Sequence, residues 1–243
     1  MDHLLWSLNV MTRFYRDGGV VDFTLSTGER LAGPVHAQWL QHGADLRVTS
    51  LDLRSAYKQL PLHPLDYDKS VICVKCPDTG EIECYYMLTL PFGARASVHD
   101  FLRVSTLLHA AGCALGVCWA SYFDDFPMAS PARTETSAMA TCKGMLSLLG
   151  YEYAAEKMKP FAQKADMLGV QLDVSQTSQG VIKIRNKESR VRDLQPVLDA
   201  AISTASSIPA ELPSFLGKLQ YAESQLWGLP SILVTLALQR CEC

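Results

Sequence analysis

Two adjacent carboxylates inside an apolar stretch constrain this chain more than any other feature. Tyr122-Phe123-Asp124-Asp125 lies between Val117-Cys118-Trp119-Ala120 and Phe126-Pro127-Met128. Charges held among apolar residues are costly to desolvate, and two side by side repel unless a cation neutralises them. The run predicts two strands meeting at Asp124-Asp125. Taken alone, the pair reads first as a surface Asp-Asp turn. A divalent ion such as Mg²⁺ is the alternative, since it takes only one or two carboxylates and completes its shell with water or phosphate oxygens.

A third carboxylate is placed to join them. Leu46 to Leu53 (LRVTSLDL) reads as a buried strand with Asp52 near its carboxyl end. Two further strands are predicted at Val71 to Val74 and Glu83 to Leu90, around the Pro77-Asp78-Thr79-Gly80 turn. A helix is predicted from Ser97, with capping-box chemistry at Ser97 and Asp100 and a stop at Gly112; Val98, Phe101, Leu102, Ser105 and Leu108 follow at helical spacing. A second helix, Thr136 to Leu149, carries Ala138, Cys142, Met145 and Leu149 on one face and stops at Gly150. Strands at Met167 to Val174 and Val181 to Ile184 flank the polar Ser175 to Gly180 loop. From Glu188 the pattern turns helical, with Val191, Leu194, Val197, Leu198, Ala201 and Ile202 as one stripe. Residues 1 to 45 show turn signals at Gly18-Gly19, Ser26-Thr27-Gly28 and Gly33-Pro34 and one apolar run at Val20-Val21. This order suggests an α+β fold with a helical appendix.

Composition removes several classes. The chain is 48% hydrophobic and 19% charged, which excludes disorder, and no apolar run is long enough to span a membrane. The first residues carry no secretory leader pattern, so an intracellular protein of cytoplasm or nucleus is expected. A net charge of −3 gives no global pull toward polyanions. The local exception is Val181 to Arg192, which holds Lys183, Arg185, Lys187, Arg190 and Arg192 against Glu188. By itself that window reads as a solvated edge. The eight cysteines sit irregularly, Cys113, Cys118 and Cys142 among apolar residues, and reduced buried thiols are expected. Cys73-Val-Lys-Cys76 lacks the second pair that a zinc site needs.

The order of these segments resembles the palm of reverse transcriptases. Leu51-Asp52-Leu53-Arg54-Ser55-Ala56-Tyr57 followed by Lys58-Gln59-Leu60-Pro61-Leu62 is similar to motif A, and Leu90-Pro91-Phe92-Gly93-Ala94-Arg95-Ala96-Ser97 to motif B. Tyr122-Phe123-Asp124-Asp125 matches the YxDD box of motif C. Leu149-Gly150-Tyr151 with Glu156-Lys157 resembles motif D, and Leu168-Gly169-Val170-Gln171-Leu172-Asp173 resembles motif E. Phe215-Leu216-Gly217-Lys218-Leu219-Gln220-Tyr221-Ala222 is similar to a segment after the palm of retroelement polymerases. A YxDD box alone is weak; five ordered motifs are strong.

The resemblance implies a right-hand polymerase palm, an antiparallel sheet with packed helices. It implies an incomplete fingers-like segment at 1–45, the palm with finger insertions at 46–187 and a helical thumb- or connection-like segment at 188–243. Asp52, Asp124 and Asp125 would be catalytic and would hold two Mg²⁺, for which Mn²⁺ could substitute, with the Leu53 carbonyl as a further ligand. Tyr57 would be a steric gate against a 2′-hydroxyl; Phe92, Gly93 and Lys157 would also face the nucleotide. Tyr122, Lys183, Arg185 and Lys187 would lie along nucleic acid. The implied function is an RNA-directed DNA polymerase core, a nucleotidyltransferase adding dNTPs to a primer on an RNA or DNA template. The chain would be part of a retroelement polyprotein, with the other domains as partners. The alternative is a catalytically inactive, truncated or domesticated palm that only binds nucleic acid or a protein partner.

Overall fold

Strand pairing is antiparallel throughout the described residues. A computed structural model describes residues 2–38 and 45–204, with 214, 217 and 218. In chain order its elements are α1 (Asp2–Arg16), β1 (Val20–Thr24), β2 (Arg30–Pro34), β3 (Leu46–Asp52), β4 (Val71–Lys75), β5 (Ile82–Tyr86), α2 (Arg95–Ala114), β6 (Cys118–Trp119), β7 (Asp125–Pro131), α3 (Glu135–Leu148), β8 (Lys164–Met167), β9 (Val170–Asp173), β10 (Lys183–Asn186) and α4 (Glu188–Thr204). The segment 215–222 and the terminal Cys241 and Cys243 lie outside the described residues.

The central sheet has the order β3-β7-β6 and is covered on both faces. Side chains alternate across a strand, so Leu51 and Leu53 face one way and Leu46 and Val48 the other. The first face packs with Phe126, Met128 and Trp119 against Phe101 and Leu108 of α2 and Cys142, Met145 and Leu146 of α3. The second packs with Ala129 against Leu4 and Leu8 of α1 and Met167, Leu172 and Val174 around β9. Asp52 and Ser50 share the second face, at the strand end where this cover stops. Helix α1 is absent from the sequence expectation, although Leu4, Leu8 and buried Thr12 recur every four residues.

Several boundaries differ from the sequence expectation, each for a packing reason. Ser97 is buried inside α2 and caps nothing; the helix starts at Arg95 behind Ala94, which makes no side-chain cap. Gly112 is not a stop. A Cβ there would collide with the Trp119 ring, so the glycine lets the indole press onto α2, and the turn comes at Gly116, φ 81°. Leu102 is exposed, and the buried stripe of α2 is Phe101, Ser105, Leu108 and Gly112. The expected strand to Leu90 ends at Tyr86, because Leu62 N–H bonds to the Leu88 carbonyl (2.9 Å) and Leu90 N–H to that of Leu60 (3.0 Å). The single strand expected from Met167 to Val174 is a hairpin, β8 and β9, turning at Leu168 (φ 45°) and Gly169 (φ 87°). Two successive positive φ values make the tight turn whose twist matches its strands. Leu149 lies just past α3 and is half exposed, and Leu146 of α3 is buried in its place. In α4, Val191 is exposed and Leu194 is buried; the side chains of Val197, Leu198, Ala201 and Ile202 lie outside the described set.

The thiols also depart from expectation. Cys142 is buried, but Cys73, Cys84 and Cys113 are exposed, with Cys76 and Cys118 in between. Among the described residues, no helix is long and apolar enough to cross a membrane.

Candidate active site

The three carboxylates meet where β3 ends and β7 begins. Asp52 and Asp125 are register partners on the last rung of that ladder. Asp124 belongs to the turn: Tyr122 and Asp125 exchange main-chain bonds of 2.8 Å each, and Leu53 N–H donates to the Asp124 carbonyl at 3.0 Å. Between them Phe123 takes φ 54°, a left-handed conformation that costs a non-glycine residue about 1 kcal/mol or more. Two contacts compensate. The Ser105 hydroxyl of α2 donates to the Phe123 carbonyl at 2.6 Å, and the Phe123 ring packs against the first core face. The apolar flanks thus hold a strained tip in one place, as such outliers require.

Electrostatics at this tip favour a cation. Burial pushes the Asp124 carboxyl above the usual carboxylate range, and the charge of Asp52 adds to the rise. Burial does the same to Asp125, opposed by a hydrogen bond from the Ser50 hydroxyl (3.1 Å) and reinforced by Asp52 and Asp124. Lys157 reaches back from the loop after α3 to place Nζ 2.5 Å from Asp52 Oδ2. That hydrogen bond, with the charge of Asp52, holds the Lys157 ammonium above its usual range.

A cleft of about 180 Å³ opens beside the pair, lined by Ser50, Asp52, Asp125, Lys157, Lys159 and Lys187 among others. Among the described residues, no three acidic, histidine or cysteine side chains form a ready metal cage. The donor set nevertheless fits a hard divalent ion, which needs one or two carboxylates and takes its other oxygens from water or phosphate. Leu53, named as a main-chain ligand, has its side chain buried beneath the same turn.

The remaining site residues divide. Tyr57 follows β3 on a short 3₁₀ turn (Ala56–Gln59), stacks on Phe101 (centroids 4.8 Å, 26°) and meets Phe92 edge-on (5.5 Å, 79°). This places the gate candidate against the motif B turn. Phe92 is 88% exposed, and Gly93 adopts φ 91° with open space where a Cβ would point. The left-handed φ is a conformation that glycine adopts without a Cβ penalty. Tyr122 is exposed, its ring edge-on to Phe123. Lys183 and Arg185 lie on β10, at the edge of the β10-β9-β8 sheet. Lys187 reaches the carboxylate cleft, whereas Arg185 lines a separate one with Gln171, Val191 and Arg192.

Three positioning residues escape the sequence expectation. Ser50 lies two residues before Asp52, on the same strand face, which brings its hydroxyl to Asp125. Ser105 holds the turn from α2. The Gln59 amide donates to the carbonyls of Arg54 (2.5 Å) and Glu152 (2.8 Å) and accepts from Glu152 N–H (2.7 Å), tying the segment after Asp52 to the segment that leads to Lys157. Of these three, only the Ser50 spacing carries a local sequence signal.

Comparison with known proteins bears on this arrangement. The model of the family "Reverse transcriptase (RNA-dependent DNA polymerase)" matches residues 11–172. No curated protein matches the chain. Three solved foamy viral protease–reverse transcriptases have the same fold. The one designated dRH, in complex with double-stranded DNA, is 14% identical, with a TM-score of 0.57 over 84% of this chain and 35% of that one. A second complex with double-stranded DNA gives 15% identity, a TM-score of 0.56, and coverage of 84% and 42%. A complex with an RNA/DNA hybrid gives 13%, 0.57, 84% and 27%. This chain thus spans less than half the length of each. The family match runs from within α1 to within β9 and contains the Asp52, Asp124 and Asp125 constellation: the chain belongs to the reverse transcriptase family.

Proposed function

We propose that this chain is the polymerase core of an RNA-directed DNA polymerase, with residues 46–187, built on β3-β7-β6, α2 and α3, as its palm with finger insertions, residues 1–45 as an incomplete fingers-like segment and 188–243 as thumb or connection. The observation that carries this reading is the opposition of Asp52 and Asp125 across the β3–β7 ladder, with Asp124 beside them and burial raising two of the three carboxyls. Asp52, Asp124, Asp125 and the Leu53 carbonyl would hold two Mg²⁺, with Mn²⁺ as substitute. Bound there, the ions supply activation of the primer 3′-oxygen and charge stabilisation of the departing pyrophosphate.

The chain's own groups position the reactants. Tyr57, fixed by Phe101, would floor the sugar pocket and exclude a 2′-hydroxyl, favouring dNTPs. The exposed Phe92 ring and the Gly93 turn would face the nucleotide. Lys157, paired with Asp52 in this structure, would exchange that partner for a triphosphate oxygen. Tyr122, Lys183, Arg185 and Lys187 would contact the primer–template duplex. The foamy viral proteins bind double-stranded DNA and an RNA/DNA hybrid, which supports such a partner here. Further domains of a retroelement polyprotein would complete the molecule.

Primer extension on an RNA template, with dNTPs and with Mg²⁺ added or chelated, tests the reading. Mg²⁺-dependent extension that disappears in Asp124→Asn is expected. Extension that persists in a folded Asp124→Asn protein would overturn it.

A further inference from the structure

The β4–β5 hairpin carries a feature unrelated to the carboxylates. Cys73 and Cys84 are register partners, and their Sγ atoms lie 2.9 Å apart. The bonding pattern shows which kind of rung they occupy. Cys76 N–H bonds to the Glu81 carbonyl (2.8 Å) and Met87 N–H to that of Ser70 (2.7 Å). Hydrogen-bonded rungs alternate with non-bonded ones, so 76–81 and 70–87 make 73–84 a non-bonded rung, where opposing Cα atoms lie about 4.5 Å apart. That spacing is within the range a disulfide spans, about 4.4 to 6.8 Å. Both residues are exposed. Cys76, by contrast, is three residues from Cys73 on extended backbone and points to the opposite face, so the CxxC spacing makes no pair.

We propose that Cys73 and Cys84 are a thiol–disulfide exchange site, oxidised by a small solvent disulfide of the glutathione class to a cross-strand bond that locks the β4–β5 hairpin. One cysteine thiolate attacks a sulfur of the small disulfide, displacing one thiol and leaving a mixed disulfide. The opposing cysteine then attacks the protein-bound sulfur and displaces the second thiol. Two cysteine S–H bonds are lost and one S–S bond is made, while the oxidant takes up the two electrons and two protons as two free thiols. The hairpin has reason to respond. Every residue of β4 and β5 is exposed, and an isolated two-stranded hairpin is marginally stable in water. Its base is held by the Leu62–Leu88 and Leu90–Leu60 bonds, so the lock acts on the segment between Tyr57 and Phe92.

The test uses the full chain and oxidised glutathione. Trypsin separates Ser70–Lys75 from Cys76–Arg95, so a non-reduced digest shows the bond as a link between these peptides. The link is expected in wild type and in Cys76→Ser. It should be absent from Cys84→Ser and Cys73→Ser, which should each retain one glutathione at the remaining partner. Amide hydrogen exchange within the oxidised hairpin should slow on the order of 10- to 100-fold, as closure of a short loop predicts. Cys142, whose thiol burial pushes up to about 12, is the internal unreactive reference. Loss of the link in Cys76→Ser would overturn the proposal. So would stable glutathione on both Cys73 and Cys84 without a link, or a link that forms equally fast in denaturant.

Discussion

Asp52 and Asp125 face each other on the last rung of the β3–β7 ladder, and Lys157 answers the charge of Asp52 at 2.5 Å. Like charges directly opposite one another destabilise a strand pair. The fold tolerates them because Ser50 bonds Asp125, Ser105 holds the turn, and two core clusters lock the strands beneath. The site is built to accept positive charge, and its strain lies where function is proposed.

Replacement of Asp124 by Asn should lower Mg²⁺-dependent extension roughly 100-fold or more, about 2.7 kcal/mol of barrier. Metal-free stability should not fall. The raised carboxyl favours the folded state below the ordinary carboxylate pKa and loses that contribution as pH rises through the elevated value; an amide carries no such penalty at neutrality. Urea melts without metal, alongside extension assays, check both parts.

Tyr57→Ala should raise rNTP use relative to dNTP and also destabilise the fold, because the ring stacks on Phe101. Loss of an aromatic ring from a packed position costs about 3 to 5 kcal/mol when fully buried, and less at this half-buried site. Tyr57→Phe should preserve both properties. An unchanged sugar ratio in an active Tyr57→Ala protein would leave the residue a packing role only.

The basic groups should separate by function. Gln at Lys183, Arg185 and Lys187 together should weaken duplex binding for all sequences alike. It should also flatten the salt dependence, by up to about 0.9 in log–log slope for each B-DNA phosphate that is no longer neutralised. Lys187→Gln alone should reduce extension more than duplex affinity, since this side chain lines the carboxylate cleft. Filter-binding titrations over a salt series, paired with extension rates, resolve the two effects.

Gly112→Ala should destabilise the protein by about 1 to 3 kcal/mol, the range for an overpacked core. The added methyl would collide with the Trp119 ring, which is fixed by its Nε1–H bond to the His109 carbonyl (3.0 Å). Thermal melts of the variant against wild type measure this, and an unchanged Tm would mean that the indole moves freely.

Asp173 gives a pH signature away from the site. Burial alone would raise its carboxyl, but hydrogen bonds from the Ser175 hydroxyl (2.6 Å) and amide (3.0 Å), with Lys164 at 3.3 Å, hold it below the usual range. A lowered folded pKa stabilises above the ordinary carboxylate range, and the contribution disappears as pH falls through the folded value. Asp173→Asn should therefore cost about 1 to 3 kcal/mol near neutrality. The gap to wild type should close in acid, which urea titrations at several pH values follow.

Local pattern was enough to find the strand ending at Asp52, the hairpin tip at Asp124-Asp125, and helices near α2 and α3, because apolar periodicity and turn residues report the backbone directly. Tyr57, Phe92 and Gly93 were singled out by the resemblance of their motifs, not by periodicity. Only the tertiary structure decided what lies opposite what. Ladder register set Asp52 against Asp125 and Cys73 against Cys84, while the conspicuous Cys73–Cys76 spacing fell on opposite strand faces. Gly112 read as a helix stop because glycine's commonest local role is termination, yet Trp119, arriving from the next strand, needed the space. The resemblance assigned Lys157 to the nucleotide, and the structure adds that its side chain reaches Asp52, 105 positions away in sequence. The Asp52–Asp125, Gly112–Trp119 and Lys157–Asp52 pairings depend on packing between separate elements, to which no window of neighbouring residues has access.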